Sequence, residues 1–175
     1  MSMERHLKPL NPILIRAQVN EMDSRNHPPG RPIDYAFRYD YRSGGTPPLD
    51  YYEFVIEVAP DGSGEIRFRR DYEANRPEEF VAIFDPEEAA LNQAYLVMLS
   101  SGIFEPIWQP PRRKERPAGS SARMEVTCGG NGYDVTPARF EALGEMAVTI
   151  HEAIRALVPS ATWERIEKFK RPAKD

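Results

Sequence analysis

Ile33, Tyr35, Phe37, Tyr39 and Tyr41 occupy every second position of one stretch, with Asp34, Arg38, Asp40 and Arg42 between them. A two-residue period sends successive side chains to opposite faces, so this run predicts a strand from 33 to 41 with one aromatic face and one charged face. A strand of that kind belongs in a sheet that is covered on one side only.

The clearest hairpin follows it. Tyr52, Phe54, Ile56 and Val58 alternate with Glu53 and Glu57, Pro60-Asp61-Gly62-Ser63-Gly64 turns the chain, and Ile66 and Phe68 return between Glu65, Arg67 and Arg69. Glutamates and arginines facing one another on the solvent side serve register and solubility, because exposed pairs contribute about 1 kcal/mol or less. The apolar run Phe80 to Phe84 predicts an edge strand. In a second hairpin Met124, Val126 and Cys128 run out, Gly129-Gly130-Asn131-Gly132 supplies positive φ for the turn, and Tyr133 and Val135 return. Near the N-terminus, Ile13, Ile15, Ala17 and Val19 alternate as a strand would, and the polar stretch 20–32 reads as a surface loop.

Asp85-Pro86-Glu87-Glu88 predicts a helix start, with Asp85 as cap, Pro86 at the first helical position and Glu88 closing a capping box. The helix should run to Ser100, stop at Gly102, and bury Leu91, Ala94, Tyr95, Met98 and Leu99. Ile103, Phe104, Ile107 and Trp108 around Pro106 read as a loop packed back onto the core. Thr136-Pro137 opens a second long helix with the stripe Phe140, Leu143, Met146, Ala147, Ile150, Ile154 and Leu157, ended by Pro159. Ser160 caps a short final helix bearing Trp163, Ile166 and Phe169.

Hairpin-linked strands followed by segregated helices predict an α+β fold: a mostly antiparallel sheet, two longer helices on one face, and a short C-terminal helix. The missing strand-helix-strand alternation argues against a doubly wound α/β fold. A chain of 175 residues is one domain's worth. We expect a loosely ordered segment over 1–12, a single domain over 13–170 and a flexible tail over 171–175.

Composition narrows function mainly by exclusion. At 41% hydrophobic and 29% charged residues the chain is that of a soluble globular protein, made loop-rich by 17 prolines. No apolar run reaches the length of a membrane span and no signal-peptide core is present, so the expected compartment is the cytoplasm. One cysteine and three histidines supply no structural zinc set, no glycine cluster stands between a strand and a helix as a phosphate cradle does, and no cofactor is expected. The net charge of −4 makes nucleic acid an improbable partner. Two basic segments stand against that balance: Arg112, Arg113, Lys114 and Arg116 in a proline-flanked loop, and Lys168, Lys170, Arg171 and Lys174 near the C-terminus.

Catalytic candidates are few. Cys128 ends a strand and would need a base; His151 is the one histidine in a regular element, and it reads as a surface residue off the helix stripe. Neighbouring acids (Glu78-Glu79, Glu87-Glu88, Asp71 with Glu73) serve loops and a helix start, since adjacent residues do not face each other. Of the many aromatic rings, Tyr51 and Trp108 are least accounted for by the core. An aromatic anchor beside a cationic loop suits recognition of an acidic protein. The sequence therefore favours a non-catalytic binding or accessory module for another protein, with Trp108, Arg112, Arg113, Lys114, Arg116 and Tyr51 as binding residues. A cysteine- or carboxylate-dependent hydrolase or transferase is the first alternative, and weak nucleic-acid binding through the basic loop is the second.

Overall fold

A computed structural model describes residues 30–44, 51–70, 78–105 and 119–170. The expected strand at 13–19, most of the loop at 20–32, and both chain ends (1–12 and 171–175) lie outside them. The described chain forms strands β1 (Ala36–Arg42), β2 (Tyr52–Val58), β3 (Gly64–Arg70) and β4 (Glu79–Phe84), helix α1 (Glu88–Ser100), strands β5 (Ser121–Cys128) and β6 (Asn131–Val135), and helices α2 (Pro137–Ala142), α3 (Glu145–Arg155) and α4 (Ser160–Lys170). The six strands make one antiparallel sheet in the order β4-β3-β2-β1-β5-β6. This is the α+β fold that the alternation predicts.

Alternation builds the core directly. Phe37 and Tyr39 of β1, Phe54 and Ile56 of β2, Ile66 and Phe68 of β3, and Met124 and Val126 of β5 share the buried face with Leu91, Met98, Ile150, Ile154 and Ile166 from the helices. The opposite face is an ion-pair lattice. Glu53 stands across from Arg69, at 3.6 Å, and Arg69 in turn holds Glu79 at 2.9 Å. Glu57 opposes Glu65, a repulsive pair, but Arg67 binds both and Arg38 also binds Glu57. Gly64 opens β3 opposite Phe84, where the Phe84 ring of β4 occupies the space a Cβ would need.

Four local expectations change. The first strand begins at Ala36, not Ile33: Tyr35 N donates to Pro32 O in a turn that leaves Ile33 93% exposed, while the Asp34 carboxylate accepts from Gly129 N and Gly130 N, at 2.9 and 2.6 Å. The second hairpin turns on Gly129 and Gly130 alone, at φ 60° and 77°, and Asn131 already pairs with Cys128. Helix α1 starts at Glu88 with Glu87 extended before it and no side-chain cap. The capping box does not form because Glu88 instead takes the Arg31 guanidinium, at 2.6 Å, while Arg31 Nε reaches Asn92.

The long helix from 137 is two helices. Thr136 caps α2 as expected, accepting from Arg139 N, but Gly144 adopts φ 58° and breaks the run before α3. The break frees α2 to pack beside β5 while α3 packs on α1.

Candidate functional site

The break between α2 and α3 opens a cleft of about 730 Å³ against the sheet end formed by Tyr39, Tyr41, Ser121 and Ala122. Its other wall comes from Pro137, Ala138 and Phe140 of α2 and Ala147, Val148 and His151 of α3. Val148 is 55% exposed there, an unusual placement for a large aliphatic side chain next to a formed core. Gly44, after β1, and Gly119, before β5, approach so closely that no Cβ fits at Gly44, which fixes the rim on that side.

The cleft is mostly apolar, with Ser120, Ser121, Thr136 and Glu141 also on its lining, and His151 is its one imidazole. Its ring lies 4.6 Å from that of Tyr41 and 5.9 Å from that of Tyr39, centroid to centroid, and Tyr39 OH is 2.7 Å from Nδ1. Burial, with the nearby Arg155 charge, pulls the His151 pKa from 6.5 to about 4, and burial drives the Tyr39 phenol far above its usual range. Both groups are therefore neutral near pH 7. Tyr39 donates, Nδ1 accepts, and the ring proton belongs on Nε2, which has no hydrogen-bond partner among the described residues. A histidine of such low basicity, its Nδ1 lone pair already engaged, is a poor proton acceptor at neutral pH. It is a well-placed neutral donor.

His151 is thus not the surface residue its polarity suggested. Ala147 lies four residues before it and Ile154 three after, so it continues the buried stripe. Cys128, its expected partner, is fully buried at the far end of β5. Tyr39 pairs with Met124, so Cys128 is four residues further along, about 13 Å of strand. The structure does not bring the thiol and the imidazole together.

The paired carboxylates are also separated. Glu78 binds Arg70 at 2.7 Å, Glu79 binds Arg69, and Glu88 binds Arg31. Asp71 and Glu73 lie outside the described residues. Near the C-terminus, the Lys170 ammonium sits 4.3 Å from the Tyr52 ring centroid and pairs with Glu167, while Arg171 and Lys174 are outside the described residues. Of the expected binding residues, Trp108, Arg112, Arg113, Lys114 and Arg116 lie outside the described residues. Tyr51 directly precedes β2, half-buried, with its hydroxyl 3.5 Å from Glu53 on the charged face. It stands at the same end of the sheet as the cleft, because β2 begins where β1 ends and β5 starts beside that end.

Among the described residues no helix is long and apolar enough to cross a membrane, and no cluster of three or more His, Cys, Asp or Glu is placed to hold a metal ion. No protein-family model matches the chain, and no curated protein matches its sequence.

Proposed function

We propose that this protein is a non-catalytic binding module that recognises an extended segment of another protein at the sheet end where the cleft opens. The cleft carries this reading: about 730 Å³ of mostly apolar space with His151, a neutral donor, on its wall beside the Ser120, Ser121 and Thr136 hydroxyls. Ligand sites combine apolar surface with a few convergent polar groups, and this one suits an apolar side chain whose neighbouring backbone carbonyl accepts from Nε2. The basic run Arg112, Arg113, Lys114 and Arg116 in the sequence supports a partner with acidic residues flanking its apolar anchor.

Selection from a displayed peptide library tests the proposal, with counter-selection on Ala138→Trp. Ala138 is exposed on the cleft wall, so the indole fills the opening without touching the core. The proposal predicts peptides with a shared apolar anchor and acidic flanks that lose at least about tenfold in affinity for the variant, equivalent to about 1.4 kcal/mol. Enrichment of no sequence, or of peptides that bind both proteins equally, refutes it.

A further inference from the structure

The two edges of the sheet are built differently. At one edge, β6 is five residues long, contains Gly132, and carries Asp134 ion-paired to Arg123 at 3.2 Å on the open face. Short length, glycine and charge are the devices that keep an edge from pairing with another chain. Strand β4, at the other edge, is only one residue longer, but it carries neither glycine nor charge between Phe80 and Phe84. Its open face presents Val81, 48% exposed, and Ile83, 77% exposed, and among the described residues β4 has β3 as its single strand neighbour.

From this contrast we propose that β4 is a self-association edge, which pairs antiparallel with β4 of a second copy and continues the sheet across a two-fold axis. The occupant follows from the sequence of the strand. Centred on Ala82, antiparallel pairing sets Val81 of each copy opposite Ile83 of the other on the open face, and Phe80 opposite Phe84 on the helix face. Each apolar position meets an apolar position, and β-branched pairs across strands are favourable. The contact is isologous and closes at two copies. One position opposes it. In this register Glu79 of each copy faces Asp85 of the other, so two like-charged pairs flank the apolar centre. A strand pair of about 20 Å with repulsive ends belongs with small, transient interfaces, so the dimer forms at micromolar or higher concentrations.

Sedimentation equilibrium of the full chain over roughly 5 to 500 µM, a range that brackets weak association, reads this directly. The weight-average mass should climb from the 20.0 kDa of the monomer toward twice that value. Ile83→Lys, an exposed substitution that leaves the core intact, should hold the protein monomeric throughout. Val148→Lys, also exposed but beside the cleft, should dimerise like wild type. Asp85→Lys converts both end pairs to attractive ones and should tighten the dimer by about tenfold if the register is centred on Ala82. A wild-type chain that stays monomeric at the highest concentration, a dimer that survives Ile83→Lys, or an Asp85→Lys variant that associates no more tightly overturns the proposal. None of these results depends on whether the cleft binds a peptide.

Discussion

Replacing Tyr39 by Phe removes one hydroxyl from a side chain with no exposed surface and leaves the ring packing against Phe54 and Phe140 in place. What is lost is the donor, 2.7 Å from His151 Nδ1. A net hydrogen bond is worth about 1 kcal/mol, and stranding the imidazole acceptor in a half-buried position raises the expected cost to about 1–2 kcal/mol. For a chain of this size that lowers Tm by about 3–6 °C. His151→Leu should cost more, about 2–3 kcal/mol, because it strands the phenol in the fully buried position. Combining the two changes removes both partners, so the double variant should be more stable than the sum of the single effects predicts, by about 1 kcal/mol. Urea denaturation of the four proteins measures this coupling. In Tyr39→Phe the His151 pKa, followed by NMR titration, should stay well below 6.5, since the burial and the Arg155 charge that lower it remain. Strictly additive destabilisation would show that the two groups are neighbours without being bonded.

Other perturbations follow from the same geometry. Because His151 titrates near 4 in the folded protein and near 6.5 when unfolded, the unfolded chain binds the extra proton between those values. The corresponding stability is complete above pH 6.5 and is lost as pH falls toward 4; thermal melts across that window should show this slope in wild type and its loss in His151→Leu. Gly64→Val drives a side chain into the Phe84 ring and should destabilise by about 1–3 kcal/mol in chemical denaturation, as overpacking does. Gly144→Ala, at φ 58°, should cost about 1–2 kcal/mol; an unchanged or raised midpoint would mean that the α2–α3 break tolerates a continuous helix.

The strands were legible because a two-residue period is a strong signal and each hairpin carried its own turn residues. The Glu53–Arg69 pairing, the buried set of α1 and the Thr136 cap follow from sequence pattern alone. The differences arise where a distant group outcompetes a local one. Arg31, 57 residues away, takes Glu88 from its capping box, and Asp34 is spent on the Gly129–Gly130 turn. The break at Gly144 was masked by an apolar stripe that keeps helical spacing straight through it. The cleft depends on that break, so it was invisible at the level of sequence. Polarity alone places His151 on the surface, whereas its spacing from Ala147 and Ile154 places it on the buried stripe. Its phenolic partner comes from a strand 112 residues away, which no local pattern encodes.

We propose that the cleft between α2, α3 and the end of β1 holds the partner. NMR of the protein labelled with ¹⁵N, including the His151 ring, during titration with a selected peptide tests it most directly. Binding in the cleft should shift Nε2 of His151 and centre the backbone perturbations on Ala122, Ala138, Ala147 and Val148. An unmoved His151 ring with perturbations centred elsewhere on the sheet would contradict it.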